Sequence, residues 1–287
     1  MKRRMAKLFV AAVCMLAAVS CQKKKDAAES GISGKITVIS REEGSGTRSA
    51  FIELFGVHDQ DKKDITTLDA EITNNTAVML GSVKSNKRAV GYVSMSSVNS
   101  DVKALKINGV EANTENVVND SYPISRPFII ATKGEISESA QDFINFIMSG
   151  AGQEVVQKNG YISLGEGGVF VSSYASGKVV VAGSSSVSPL MEKLKEAYMA
   201  INENAKIEIQ QTDSSAGIKA VENAICDIGM SSRALKDSEK EKGLNTLTIA
   251  KDGISVIVNN ENSIGDLSKE QVRSIFVGEV TKWDGLK

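Results

Sequence analysis

Beyond residue 34 the apolar positions fall into two alternating kinds of stretch. Short runs of β-branched residues predict strands, and longer stretches with apolar positions three and four apart predict helices. Lys35–Ser40 predicts a strand and Thr47–Phe55 a helix; Ala89–Ser94 (AVGYVS) and Phe128–Thr132 are further strands. Pro127 precedes the last of these, where a missing N–H is tolerated. Ser139–Met148 carries Phe143, Phe146 and Ile147 at helical spacing.

A second series begins at Lys178. Strands are predicted over Lys178–Ala182, Lys206–Gln210 and Ile254–Val258, and helices over Pro189–Ala200, Gly217–Cys226 and Ser268–Val277. Pro189 suits a first helical turn. Leu190, Leu194, Ala197 and Tyr198 share one face of its helix, and Ile218, Val221 and Ile225 are expected to point inward from the next. Ser268 and Gln271 form a capping-box pattern ahead of Val272, Ile275 and Phe276. Alternation of this kind implies an α/β protein with mainly parallel sheets covered by helices. Residues 163–177 (SLGEGGVFVSSYASG) are rich in Gly and Ser and read as a linker. A chain of 287 residues has room for two domains.

The first twenty residues follow a different pattern. Lys2, Arg3, Arg4 and Lys7 precede an apolar run of 12 residues, Leu8–Val19. That run is too short to span a bilayer as a helix but suits a signal peptide. It ends Ala17-Ala18-Val19-Ser20-Cys21, similar to a bacterial lipobox, in which Cys21 would be acylated. Ala18 stands where many lipoboxes have Leu, and a plain secretory signal is the alternative. Residues 1–20 are thus expected to be a signal peptide and 21–33 a polar tether. Only Cys226 then remains as a free thiol, expected as a small core residue, so no intrachain disulfide is expected.

Composition narrows the function classes. Lys and Arg number 34 against 35 Asp and Glu, and loss of residues 1–20 leaves 30 against 35. No basic excess invites nucleic acid. The single His, His58, sits beside Asp59 and is expected on the surface, so a Ser-His or Cys-His base is missing. No metal-ligand spacing, Walker loop or complete dinucleotide fingerprint occurs, so no cofactor or metal is expected.

What the sequence does repeat is a small polar cluster opening a helix after a strand. Gly44-Ser45-Gly46-Thr47, Gly183-Ser184-Ser185-Ser186 and Ser214-Ser215-Ala216-Gly217 all have this form. Helix N-termini expose unpaired N–H groups and partial positive charge, hydroxyls add donors, and Gly admits close approach; together they suit an anion. Each cluster alone reads first as an ordinary helix cap; it is three of them in one chain of this class that point to an anion. Arg41, just after a strand, could grip a tetrahedral oxyanion, or equally pair with Glu43 at the surface. Asp227 reads as a solvated loop residue, or as an acceptor for the proton of an anion that carries one.

These segments resemble a known family. Ser40-Arg41-Glu42-Glu43-Gly44-Ser45-Gly46-Thr47-Arg48, Ala182–Leu190 (AGSSSVSPL), Asp213–Ile218 (DSSAGI) and Asp227–Arg233 (DIGMSSR) are similar to segments of phosphate ABC-transporter substrate-binding proteins. Ala89–Ser94 and Pro123–Pro127 (PISRP) support the likeness. The order differs: the SREEGSGTR-like segment, which in the family follows the Trp283-Asp284-Gly285-Leu286-like one, stands first here. The chain therefore looks circularly permuted, with 163–177 joining the family's old ends.

The resemblance implies a two-domain periplasmic-binding-protein fold of the type II, venus-flytrap kind. Crossing strands are placed near Arg126–Thr132 and Gly253–Val258. One domain is then split over 34–126 and 254–287, and the other is contiguous over 127–253. Carried over by motif, phosphate would meet Arg41, Ser45, Gly46 and Thr47 from the split domain and Ser185, Ser186, Ser214 and Asp227 from the contiguous one. The implied protein is a monomeric, exported, lipid-anchored binder of inorganic phosphate at the bacterial cell membrane. It would deliver its ligand to an ABC-transporter permease and would not be an enzyme. Sulfate or molybdate as ligand, or a phosphate sensor without transport, are the alternatives.

Overall fold

The structure is a computed structural model that describes residues 32–165 and 167–286. The signal peptide over 1–20, Cys21 and residues 21–31 of the tether lie outside the described residues.

The elements follow in the order β1 (Thr37–Arg41), α1 (Gly46–Phe55), β2 (Glu71–Thr73), α2 (Thr76–Ser85), β3 (Ala89–Ser94), β4 (Val102–Ala104), β5 (Lys106–Ile107) and α3 (Thr114–Val118). Next come β6 (Ser125–Lys133), α4 (Glu138–Met148), α5 (Gly150–Lys158), β7 (Gly177–Ser184), α6 (Ser188–Met199), β8 (Ala205–Thr212), α7 (Ser214–Glu222) and β9 (Ile228–Ser231). The chain ends with α8 (Asp237–Lys240), β10 (Leu244–Asn259), β11 (Asp266–Leu267) and α9 (Lys269–Phe276).

The main sheet has the order β2-β1-β3-β10-β6-β9-β7-β8. It is mixed rather than mainly parallel. Pairs β1–β2, β1–β3, β7–β8 and β7–β9 are parallel, while β10 runs antiparallel to both β3 and β6, and β6 to β9. The antiparallel strands are the ones that connect the two halves of the molecule. β10 is one strand of 16 residues: Leu244–Gly253 pairs with β6, and Ile254–Val258 pairs with β3.

Two lobes result, each a sheet between helical layers, as the amphipathic helices require. In one, Phe51, Phe55, Tyr92, Phe276 and Trp283 pack beneath α1 and α9, and Met79 and Val83 of α2 cover the other face with Ile39 and Ile257. In the other, Phe128, Phe143, Phe146, Leu190, Leu194 and Tyr198 lie under α4 and α6, and Ile218 and Val221 of α7 close the far side. Chain direction places the ends of β1, β7, β8 and β9 at the line where the lobes meet.

The two ends of the described chain lie on one lobe. The Gly34 carbonyl accepts from the Trp283 amide at 3.0 Å, and the Asp284 carboxylate accepts from the Gly34 amide at 2.8 Å. Residues 167–176 form no regular element but are tied down: Phe170 packs edge-on against Phe146 with ring centroids 5.3 Å apart, and the Asp142 carboxylate holds the Ser172 hydroxyl at 2.7 Å.

The helix expected over Gly217–Cys226 begins earlier, at Ser214, because the Asp213 side chain caps it by accepting from the Ala216 amide at 2.8 Å. It also ends earlier, at Glu222, and Ala224 takes a left-handed φ of 54°. Ile225 consequently swings out and is 70% exposed, against the inward expectation, while Cys226 turns in and is buried as expected.

Candidate functional site

The site forms where three helix starts converge. Ser45 caps α1 by accepting from the Arg48 amide, so Gly46 and Thr47 supply the open first turn. β7 runs into Ser184, Ser185 and Ser186 ahead of α6, and β8 runs into Asp213 and Ser214 ahead of α7. Each cluster follows the C-terminal end of a strand, the place where α/β sheets open a crevice.

The clusters touch across the lobe boundary. Arg41 Nη2 donates to Ser185 Oγ at 3.0 Å, and the Thr47 and Ser186 hydroxyls are 2.7 Å apart. The Ser215 amide donates to the Gly44 carbonyl at 3.2 Å. Gly46 lies flat against Ser214 and Ser232, and a Cβ there would collide with both hydroxyls. Ser232 accepts from Ser184 Oγ at 2.9 Å, and its amide donates to Ser214 Oγ at 3.1 Å. Arg41, Ser45, Thr47, Ser184, Ser185, Ser186, Ser214 and Ser232 are all buried.

The charges are arranged in pairs. Arg41 is only 1% exposed and forms a two-pronged bridge to Glu42, Nη2–Oε1 at 2.7 Å and Nε–Oε2 at 2.8 Å, rather than meeting Glu43 at the surface. Its Nη1 is buried without a partner in the protein. A guanidinium nitrogen left over in a ring of hydroxyls is an open donor for an anion. Behind the ring, Arg126 and Asp252 form a second pair, Nη2–Oδ2 at 3.1 Å, both buried. Burial pushes the Asp252 carboxyl up and the Arg126 guanidinium down, and the attraction between them opposes both shifts. At the base of the other wall, burial pushes Tyr92 up to about 12; its hydroxyl holds Ser40 Oγ at 2.8 Å and accepts from the Arg41 amide at 3.2 Å.

Asp227 is not part of this ring, contrary to the role the resemblance implied for it. It precedes β9, so it stands at the N-terminal end of a strand whose C-terminal end faces the site. Its Oδ2 accepts from the Val180 amide at 2.7 Å, and Val180 lies four residues before Ser184 on β7, about 13 Å along an extended strand. The residue of the same segment that does reach the ring is Ser232. The rule that α/β sheets open their crevice at the C-terminal ends of strands points to Ser232, whereas the motif likeness and its capacity to accept a proton pointed to Asp227.

A cavity of about 710 Å³ opens beside the ring, between Arg48, His58 and Asp64 of one lobe and Arg233 and Lys236 of the other. Arg48 Nη1 donates to the Arg41 carbonyl at 2.6 Å and Arg233 Nη2 to Ser215 Oγ at 3.1 Å, so its walls are tied to the ring. Both arginines are otherwise paired, Arg48 with Asp64 and Arg233 with Glu239. None of the ring residues lines the cavity itself.

A family model described as a PBP superfamily domain matches residues 13–151 and 170–286. The phosphate-binding protein PstS 2 of Streptococcus agalactiae is 50% identical over 258 residues, covering 88% of each chain. The protein of the same name from Streptococcus pneumoniae is 45% identical over 273 residues, covering 94% of each. This chain belongs to the PstS-like branch of the PBP superfamily. The crystal structure of a phosphate-binding protein of a phosphate ABC transporter from Streptococcus pneumoniae, 44% identical, superimposes with a TM-score of 0.71 over 88% of this chain and all of that one. The PstS-like fold, with two lobes and a curled mixed sheet, is therefore the fold of this protein. Among the described residues, no helix is long and apolar enough to cross a membrane.

Proposed function

We propose that the protein binds inorganic phosphate between its lobes and hands it to the permease of an ABC transporter, acting as a binder and not as an enzyme. The observation that carries this reading is the unpaired, buried Nη1 of Arg41 set in a ring of hydroxyls contributed by both lobes. The names of the relatives, and the transporter to which the solved one belongs, support the choice of anion. Arg41, Ser45, Gly46, Thr47, Ser185, Ser186 and Ser214 are the proposed ligands, with Ser232 in place of Asp227. An anion there bridges the lobes and stabilises the closed state. Hydroxyls accept as well as donate, so one of them can accept a hydrogen bond from the P–O–H that phosphate carries near neutral pH and sulfate lacks.

Titration calorimetry of residues 34–287 with phosphate and with sulfate tests the reading. Phosphate binding that weakens at least tenfold in Arg41→Met is expected; a wild-type protein indifferent to phosphate would end it.

The same proposal covers export as a monomer, with residues 1–20 removed and lipid on Cys21. Cys21→Ala should abolish partitioning with membranes. The domain boundaries, 34–126 with 254–287 and 127–253, and the permuted order of segments also belong to it. The hydrogen bonds joining Gly34 to Trp283 and Asp284 support the permutation.

A further inference from the structure

Arg126 plays no part in the ligand set just proposed, yet it touches both lobes at the point where they pivot. β6 and β10 pair Arg126 with Asp252 in register, and the next pair, Ser125 with Gly253, is where the strands pass from one lobe to the other. The side chains of Arg126 and Asp252 are 2% and 0% exposed. Arg126 Nε and Nη2 donate to Asp252 Oδ2 at 3.3 and 3.1 Å. Asp252 Oδ1 accepts from Ser94 Oγ at 2.8 Å and Ser96 Oγ at 3.2 Å. The remaining nitrogen, Nη1, donates to Thr47 Oγ1 at 2.7 Å and to the Ser232 carbonyl at 3.1 Å.

We infer that Arg126 is a positioning residue for the anion, one that commits the Thr47 hydroxyl to donate and fixes Ser232 beside it. This rests on the reading of the ring as a phosphate site. A guanidinium has donors only, so at Arg126 the Thr47 oxygen must accept. Its single proton then points elsewhere, toward Ser186 Oγ across the lobe boundary or toward an anion lying there. An uncommitted hydroxyl could turn a lone pair toward the anion, which would repel it. Donation from a cation also polarises the Thr47 O–H and strengthens it as a donor. Asp252 makes this possible by offsetting the buried charge and holding the fork in one orientation, with two serines fixing the carboxylate in turn. The guanidinium is held by Asp252 on the paired strands that join the lobes, and from there it reaches both Thr47 and Ser232. It is thus preorganised before the ligand arrives.

A double-mutant cycle read by phosphate calorimetry tests the inference. The variants are Thr47→Val, the paired change Arg126→Met with Asp252→Asn, and all three together. The paired change leaves no buried charge without its partner. Each of the first two is expected to weaken phosphate binding on the order of tenfold, and the triple variant no more than the worse of them. Losses that multiply would overturn the inference, since a general loosening of the hinge would not act through Thr47. Arg126→Lys keeps the charge but cannot hold Asp252 and Thr47 together. It is expected to melt near the wild-type temperature yet bind phosphate about tenfold more weakly. It decides the matter if the paired variant fails to fold, and a lysine variant binding within about twofold of wild type overturns the inference. Wild-type protein that binds no phosphate would remove the underlying reading as well; wild-type binding with multiplying losses removes only the role of Arg126.

Discussion

The Asp227 carboxylate accepts a hydrogen bond from the Val180 amide at 2.7 Å, and the Asp227 amide donates back to the Val180 carbonyl at 2.9 Å. This two-way clasp pins the start of β9 to β7. It makes Asp227 a residue of the sheet, a strand's length from the hydroxyl ring. Asp227→Asn keeps an acceptor for Val180 and loses its charge, so about 1 kcal/mol of stability should go. Phosphate affinity, and the preference for phosphate over sulfate, should be unchanged by calorimetry. A narrowed preference would return Asp227 to the site.

Gly46 separates closure from folding. Gly46 is the first residue of α1 and has no left-handed φ, so alanine there leaves that helix undisturbed. The same methyl collides with Ser214 and Ser232 of the other lobe. Overpacking of that kind costs about 1–3 kcal/mol, or tenfold per 1.4 kcal/mol in a ligand that needs the lobes closed. Gly46→Ala should therefore melt near the wild-type temperature while binding phosphate on the order of tenfold more weakly. Unchanged affinity would show that the lobes need not approach so closely.

Much of this arrangement was legible in the sequence because its signals are local. The strands at Ala89–Ser94 and Gly177–Ser184 and the capping box at Ser268–Gln271 declare themselves through period and cap chemistry. The helix-opening serines did so too. What stayed hidden was short or distant. β2 is three residues long with two of them exposed, and β9 is four residues with no polar alternation. α5 opens Gly-Ala-Gly, a weak helical start. Arg126 and Asp252 are 126 residues apart, and only the pairing of β6 with β10 brings them together. The same crossing makes the sheet mixed, which no local period reveals.

Cys226 offers a test by pH. Burial pushes its thiol up to about 11 from an ordinary 9.0. The unfolded chain loses this proton as pH passes 9, and the folded one holds it until about 11. Stability from this group is therefore complete below pH 9 and is lost as pH rises toward 11, with a slope of at most about 1.4 kcal/mol per pH unit. Chemical denaturation across that range should show a shallower decline for Cys226→Ala than for wild type. Identical slopes would mean the thiol is free to ionise in the folded protein.

The meeting of Gly34 with Trp283 and Asp284 makes it feasible to join the two ends and reopen the chain elsewhere. Joining residue 286 to residue 34 through a short Gly/Ser linker and opening the chain within 163–177 should give a folded, phosphate-binding protein. Circular dichroism and calorimetry would check both. Loss of folding on opening at 163–177 would mean that this segment, anchored by Phe170 and Ser172, is indispensable as a continuous strap.

β10 also sets a timetable. Its first part lies inside one lobe's sheet and its second inside the other's, so both sheets lack an interior strand until residue 259 has been made. Neither lobe can complete its hydrogen-bonded ladder on the ribosome before nine-tenths of the polypeptide exists. Folding is thereby postponed almost to the end of synthesis. A polypeptide that stays open this long is suited to being threaded through a narrow secretion channel first and folding once on the other side.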